Sequence, residues 1–191
     1  MPKIATQNLA THRDWRRNQL ISAAASIAIE SGGSAITVAA VAQRAGLSRT
    51  SVYEYFASSS ELVADLVIDE LESFTHLLTQ AVAKCPDCKC VISCWISAAL
   101  TYIADGRHLL AKSLNAISTP AARAGEISLA HRQLLAPLHQ GLMQLGVSDV
   151  VRALTFIQAI TDAATKRIEA GFDAQEEIAY ATSFCIKALS E

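Results

Sequence analysis

Residues 37–56 read TVAAVAQRAGLSRTSVYEYF, and they predict two short helices separated by a tight turn. Thr37 can cap the first helix, which ends before Gly46 because glycine readily adopts the positive φ of a tight turn. Ser48 can cap the second helix, which is predicted to run from Arg49 to Tyr55. Two short helices joined by a turn of about three residues have the spacing of a helix-turn-helix.

The predicted helices have one apolar and one polar face. The apolar residues Val41, Leu47, Val52 and Phe56 are expected to point inward, and Ala42 is small enough for the helices to cross closely. The outward residues are Arg49, Thr50, Ser51, Tyr53 and Tyr55. Arginine pairs with guanine, threonine contacts a thymine methyl or a phosphate, and hydroxyls donate to phosphate oxygens. The polar face therefore suits the major groove of duplex DNA, and a plain packing motif is the alternative.

Residues 20–63, LISAAASIAIESGGSAITVAAVAQRAGLSRTSVYEYFASSSELV, resemble the TetR family of bacterial transcriptional regulators. The shared pattern is a first helix rich in small residues, a glycine before the second helix, an Ala-x-x-Ala-Gly-hydrophobic-Ser core and a Tyr-x-x-Phe ending. The resemblance implies a ligand-responsive repressor. It would bind double-stranded DNA at a palindromic operator as a homodimer and leave it when a small-molecule inducer binds.

The resemblance also implies roles for individual residues of this motif. Arg49 and Thr50 would face the bases. The other predicted DNA-binding residues of the motif, which contact or approach the phosphate backbone, are Ser48, Ser51, Tyr53, Tyr55, Thr37 and Val38.

Two positions depart from the family pattern. Ser59 stands where a lysine is usual, and Ala39 stands where a polar group is common. Backbone N–H groups at the start of the fourth helix could replace the lysine contact. We expect the basic residues of the first helix to provide more of the attraction to DNA, namely Arg13, Arg16 and Arg17.

The charge distribution also indicates that the N-terminal part of the chain binds DNA. Residues 1–60 contain six Lys or Arg and three acidic residues, a net charge of +3. Residues 61–191 contain ten basic and fifteen acidic residues, a net charge of −5. A polyanion is attracted by the first part and repelled by the second.

The whole chain is predicted to be all-α, because helical spacing recurs and strand alternation is absent. The first helix is expected to bury a stripe of Trp15, Leu20, Ile21, Ala24, Ile27 and Ala28. About nine helices are predicted: 14–31, 37–45, 49–55, 58–83, 88–104, 107–117, 126–145, 149–170 and 174–189. The first three form a helix-turn-helix domain, residues 1–60, and a larger helical ligand-binding and dimerisation domain follows, residues 61–191.

Several protein classes are disfavoured. The N-terminal residues 1–15 lack the continuous apolar core of a signal peptide. The most apolar run, Val150–Thr165, contains Arg152, Gln158 and Asp162, which are costly in a membrane. A soluble cytoplasmic protein without a membrane partner is therefore expected. No P-loop, GxGxxG, GxSxG or HExxH motif occurs, so neither enzyme activity nor a cofactor is predicted.

The last two helices are the predicted dimer interface. They have more apolar surface than one subunit readily covers, although part of it is expected to be core. The residues of this surface are Val150, Val151, Leu154, Ile157, Ile160 and Ala164 on one helix, and Ile178, Ala181, Phe184, Cys185, Ala188 and Leu189 on the other. The resemblance implies a four-helix bundle of these helices in the dimer.

The inducer pocket is expected among helices five to eight. An apolar or aromatic small molecule is favoured by composition alone. The candidate wall residues are Trp95, Tyr102, His108, His131, His139, Phe156 and Asp162, each of which could instead belong to the core or the surface.

Four of the five cysteines lie within ten residues, in the stretch CPDCKCVISC. Cys85, Cys88, Cys90 and Cys94 could bind a soft metal ion, or Cys85 and Cys88 could form a redox disulfide. A metal- or thiol-responsive regulator is thus the alternative function. Small buried thiols without such chemistry are the third interpretation.

Overall fold

The computed structural model describes residues 3–114 and 119–189, with side chains from residue 12 onward. Within these ranges the chain has nine α-helices and no strand. The helices are α1 Lys3–Ser31, α2 Val38–Ala45, α3 Arg49–Tyr53, α4 Ser59–Val82, α5 Cys88–Ala104, α6 Leu109–Leu114, α7 Ala124–Gln144, α8 Val150–Glu169 and α9 Ala174–Ala188. The predicted all-α fold class is confirmed. No helix of the described ranges is both long and apolar enough to cross a membrane.

The helix starts are determined by local sequence. Six capping side chains each accept a hydrogen bond from the backbone N–H three residues later, which satisfies a donor that the helix itself leaves free. They are Thr37, Ser48, Ser58, Asp87, Asp149 and Asp173. The caps predicted at Thr37, Ser48, Ser58 and Asp173 are confirmed.

Some predicted helix bounds are wrong. The first helix starts at Lys3 and not at Asp14, because residues 3–13 contain neither glycine nor proline to stop it. Trp15 is 56% exposed and does not belong to the core stripe. α3 ends at Tyr53, because the N–H groups of residues 55 and 56 both turn back to the carbonyl of Val52. Ile117, the predicted end of the sixth helix, lies outside the described residues.

The contacts divide the chain into two compact units. Unit 1 comprises Met1–Glu70 and Leu109–Ile127, and unit 2 comprises Leu71–His108 and Ser128–Glu191. This division differs from the predicted domain boundary at residue 60, since the first part of α4 contributes Leu62 to the core of unit 1.

The core of unit 1 joins α1 to the two short helices that follow it. Leu20 on α1, Val41 on α2, Val52 on α3 and Leu62 on α4 are completely buried in one cluster. Burial of such side chains stabilises each by about 1.5–3 kcal/mol relative to exposure. The two short helices are therefore fixed by the surrounding core rather than by their own length.

Asp65 on α4 connects three segments of unit 1. Its carboxylate accepts hydrogen bonds from Arg17 on α1 and from Arg123, both at 2.6 Å. Arg123 also donates to Glu61 at 3.0 Å and to Glu126 at 3.0 Å. Hydrogen bonding to Asp65 is the main cause that raises the pKa of Arg123. Asp65 is only 13% exposed, so its two arginine partners are hard for water to replace.

We expect the substitution Asp65→Asn to lower the free energy of unfolding of unit 1 by about 1–3 kcal/mol, because two arginines lose a shielded charged partner. Urea unfolding measures the change. Asp14→Asn, which neutralises an exposed acid on α1, is the matched control. Equal stability of the two variants would contradict the role assigned to Asp65.

Unit 2 is built mainly from α5, α7, α8 and α9. Its completely buried side chains include Ile96, Leu100 and Leu138. Pro137 lies inside α7 and cannot donate a backbone hydrogen bond, which weakens the preceding turn. The carbonyl left without its helical donor is that of Gln133, and the indole N–H of Trp95 donates to the neighbouring carbonyl of Leu134 at 3.3 Å.

Candidate nucleic-acid interface

The turn between α2 and α3 has a well-defined geometry. Gly46 ends α2 in the left-handed region with φ of +66°, a conformation that costs other residues about 1–2 kcal/mol. The N–H of Gly46 donates to the carbonyl of Gln43 at 3.2 Å, and the N–H of Leu47 donates to that of Ala42 at 2.9 Å. These bonds fix the direction in which the chain enters α3.

α3 has a buried and an exposed face, as predicted. Val52 is completely buried, whereas Arg49 and Thr50 are exposed and Tyr53 is 57% exposed. Tyr55 follows the helix and is half-buried against the core of unit 1. Tyr53 is therefore more accessible to a binding partner than Tyr55.

Arg49 has no hydrogen bond or ion pair within the described part of the chain, although it is the basic residue of α3. Its neighbour Ser51 is already engaged, because its hydroxyl lies 3.0 Å from that of Ser48 and its N–H donates to the same oxygen at 3.1 Å. Ser48 therefore acts first as a cap. Both serines are engaged in the helix cap, whereas the guanidinium of Arg49 is free. Arg49 is therefore the strongest hydrogen-bond donor on this face.

The start of α2 offers few groups to a partner. Thr37 is exposed, and its hydroxyl oxygen accepts the N–H of Ala40 at 3.1 Å. Val38 is half-buried and packs on the core of unit 1. Only the hydroxyl of Thr37 and the backbone of this turn remain for a phosphate.

The three arginines of α1 have different surroundings. Arg13 is exposed. The guanidinium of Arg16 lies 5.2 Å from the ring centre of the exposed Trp15, where it can shift toward solvent. Arg17 is paired with Asp65, so a phosphate would have to compete with a carboxylate for it. Their part in DNA binding stays a prediction, and Arg17 is the least available of the three.

The predicted pocket residues do not all line one enclosed cavity. Trp95 and Tyr102 are buried in unit 2, and Tyr102 stacks on Phe74 at 4.3 Å between ring centres. The Nε2 of His108 lies 2.9 Å from a carboxylate oxygen of Glu169, and its buried Nδ1 has no hydrogen-bond partner within residues 12–114 and 119–189. The other candidates are on the surface and therefore do not line an enclosed cavity; they are His131, His139, Phe156 and Asp162.

The surface of α8 and α9 differs in detail from the predicted interface. Ile157, Ala164, Ala181 and Cys185 are buried within the same chain, so they are core and not interface. The exposed apolar residues of the two helices include Val151, Phe156, Tyr180 and Phe184. An open groove of about 670 Å³ between α8 and α9 is lined partly by Ala159, Ala163, Tyr180 and Phe184.

Of this exposed stripe, Phe184 was predicted as an interface residue, whereas Phe156, Ala159, Ala163 and Tyr180 were not, although their spacing indicates one. Phe156, Ala159 and Ala163 follow one another by three and four residues, and Tyr180 and Phe184 are four apart. Such intervals place side chains on one face of a helix. The sequences of α8 and α9 thus contain two apolar stripes with helical spacing. Only the packing of unit 2 determines which of the two is buried.

The cysteine cluster consists of three residues and not four. The sulfur atoms of Cys85, Cys90 and Cys94 all lie within 4.8 Å of one another, and Cys88 is outside this group. Burial, followed by hydrogen bonding with Cys90 and Cys94, raises the pKa of the Cys85 thiol to about 12. All five cysteines are free thiols.

The chain is similar to known regulators in its N-terminal part. Residues 20–66 match the family described as bacterial regulatory proteins, tetR family. These residues contain α2, α3 and the segments packed on them. The predicted resemblance is confirmed over residues 20–66. No curated protein sequence matches the chain.

Solved structures share the fold over nearly the whole chain. A candidate transcriptional regulator from Pseudomonas aeruginosa PAO1 is 18% identical, with 93% of this chain and 92% of that chain covered and a TM-score of 0.78. A TetR family transcription regulator from Marinobacter aquaeolei VT8 is 16% identical, with 94% and 97% covered and a TM-score of 0.71. The transcriptional regulator FadR from Bacillus subtilis, solved with stearoyl-CoA, is 21% identical, with 90% and 96% covered and a TM-score of 0.70. At these identities the likeness establishes the fold.

Proposed function

We propose that this protein is a ligand-responsive transcriptional repressor that binds a palindromic operator as a homodimer and leaves it when a small-molecule inducer binds. The observation that carries the proposal is the outward face of α3. Arg49, Thr50 and Tyr53 are exposed there, while Val52 ties the same helix to the core. An α-helix of this width fits the major groove, in which each base pair has a distinct pattern of donors and acceptors.

Arg49 is assigned to base recognition and the hydroxyls around it to the phosphate backbone. A free guanidinium can donate two parallel hydrogen bonds to O6 and N7 of guanine. The hydroxyls of Thr37 and Tyr53 can donate to phosphate oxygens, which fix the position of α3 in the groove. Thr50 can contact either a thymine methyl or a phosphate.

We expect Arg49→Ala to weaken binding to the preferred operator by about 30- to 25,000-fold, because the homodimer loses one bidentate base contact of about 1–3 kcal/mol in each of its two half-sites. The operator is first selected from random duplexes, and the affinity of each variant is then measured against all single-base changes. The loss is expected to be concentrated at one base pair of each half-site.

Arg132→Ala is the matched control, since it removes the same charge from an exposed position on α7 in unit 2. The control is expected to retain the base preference of the unchanged protein. If Arg49→Ala also retained that preference, Arg49 would not read bases. If no duplex were selected over random sequence, the proposed operator binding itself would be wrong.

A homodimer is supported by the exposed apolar stripe of α8 and α9. One short α3 contacts only a few base pairs, and each mismatch costs only about 1–3 kcal/mol, which is too little to select one site in a genome. Two copies related by a two-fold axis would read half-sites about 34 Å apart. Because Tyr180 is 72% exposed and Phe184 51% exposed, a second copy would remove a large apolar area from water.

The inducer is proposed to bind in unit 2 near Tyr102 and His108. The buried Nδ1 of His108 has no partner among the described residues, and it could bond to a polar group of a ligand. The rings of Phe74 and Tyr102 stack on each other, and the guanidinium of Arg107, the residue before His108, lies 4.8 Å from the Tyr102 ring centre. This mixture of aromatic rings, imidazole and guanidinium suits an apolar molecule with an anionic end.

A ligand screen tests the inducer proposal separately from DNA binding. Long-chain acyl-CoA thioesters are a suitable first series because of the stearoyl-CoA bound to FadR. An inducer is expected to raise the melting temperature of the protein and to weaken operator binding, since it must prefer one of two states. A compound that stabilises the protein without weakening operator binding is a ligand but not an inducer.

A further inference from the structure

We infer that Cys85, Cys90 and Cys94 form a three-thiolate site for a soft, thiophilic metal ion such as zinc(II) or copper(I). The inference does not depend on DNA binding. It rests on the positions of the three sulfur atoms and on the local structure that holds them.

The sulfur spacing fits a metal site. A tetrahedral zinc site with Zn–S bonds of about 2.3 Å places its sulfur atoms about 3.8 Å apart, and a trigonal site places them about 4 Å apart. The sulfur atoms of Cys90 and Cys94 are 3.8 Å apart. The third sulfur, that of Cys85, lies within 4.8 Å of both, so closure around an ion requires a movement of about 1 Å or less.

Local structure holds the ligands in place before an ion arrives. Cys90 and Cys94 are four residues apart on α5 and therefore share one face of the helix. Asp87 caps α5 by accepting the N–H of Cys90 at 2.8 Å. The N–H of Cys85 donates to the carbonyl of Val82 at 3.0 Å, and Pro86 restricts the next φ angle. The ligand loop is thus short and fixed at both ends.

The chemistry of the ligands selects soft ions. Three sulfur donors favour zinc(II) and copper(I) over magnesium or calcium, which prefer oxygen. All three cysteines are half-buried, so an ion can enter from solvent and still lose most of its water. Each thiol that coordinates releases its proton to solvent as the metal–sulfur bond forms, and no electron is transferred. A fourth position remains open for water or another ligand when the ion is zinc.

Cobalt(II) titration of the reduced, metal-free full chain tests the site, because thiolate-bound tetrahedral cobalt absorbs strongly in the near ultraviolet. We expect one cobalt per chain, displaced by zinc. A parallel titration with copper(I) in competition with a coloured chelator detects a site selective for the monovalent ion. One equivalent bound in either titration supports the site, and no binding of cobalt, zinc or copper(I) overturns it.

Serine variants show which thiols bind the ion. Cys90→Ser and Cys94→Ser are each expected to lower the metal affinity at least tenfold, as loss of one of three ligands should. Cys88→Ser is the matched control on the same helix and is expected to leave the affinity unchanged. Far-ultraviolet circular dichroism verifies that each variant remains helical. An equal loss in Cys88→Ser, or no loss in the other two, would overturn the assignment.

Discussion

Replacing Phe184 with aspartate is expected to convert the proposed homodimer into monomers and to remove most of its affinity for the proposed palindromic operator. Phe184 lies on the exposed apolar stripe of α8 and α9, beside Tyr180 and the groove between the helices. Truncating a central aromatic residue of an interface costs about 2 kcal/mol or more, and a two-fold dimer contains two copies. About 4 kcal/mol corresponds to a dimer that dissociates about 1,000 times more readily.

Sedimentation velocity measures the mass of the Phe184→Asp variant, and operator binding is measured in the same concentration range. Met143→Asp is the matched control, since Met143 is 61% exposed on α7 and also belongs to unit 2. The control is expected to remain dimeric. A dimeric Phe184→Asp variant would place the interface elsewhere, and a monomeric unchanged protein would refute the proposed dimer.

Leu62→Ala is expected to lower the free energy of unfolding of unit 1 by about 2–5 kcal/mol, because it removes a completely buried side chain and leaves a cavity. Leu78→Ala on the same helix is expected to have an effect of similar size on unit 2, since Leu78 belongs to the second core. The pair tests whether α4 supplies two separate cores, as the contacts indicate.

Hydrogen exchange of the backbone amides distinguishes the two variants. Leu62→Ala should speed exchange in α2 and α3, and Leu78→Ala should speed it in α5 and α9. The fluorescence of Trp95, recorded in a Trp15→Phe background, gives a second measure of unit 2 because Trp95 is buried there. If both substitutions accelerated exchange in the same helices, the chain would unfold as one unit.

The helices themselves were largely predictable from local sequence. Capping residues such as Thr37 and Ser48 can be identified from the three or four residues that follow them. Gly46 indicates a turn because it follows a helical pattern. The start of α1 was not predictable in this way, because residues 3–13 have helix-forming composition without an apolar stripe. Trp15 was predicted to be in the core because of its helical spacing. Spacing does not reveal whether another helix covers a side chain.

Features that join distant residues were not predictable from one sequence. Arg17 and Arg123 both bond to Asp65, from which they are 48 and 58 residues away in the sequence. No local sequence pattern predicts these contacts. The cysteine cluster was predicted as four residues, but Cys88 and Cys90 are two apart on α5 and point in different directions. The exposed face of α3 was predictable because its polar side chains are incompatible with burial unless each finds a partner.

The shortness of α3 has a consequence for any attempt to isolate DNA recognition. A helix of five residues is far below the length at which a free peptide holds helical structure in water. A synthetic peptide of residues 45–56 would therefore lack the helical shape that exposes Arg49 for the proposed base contact. Transplanting this specificity onto another scaffold requires the surrounding helices and the buried contact of Val52, not the twelve residues alone.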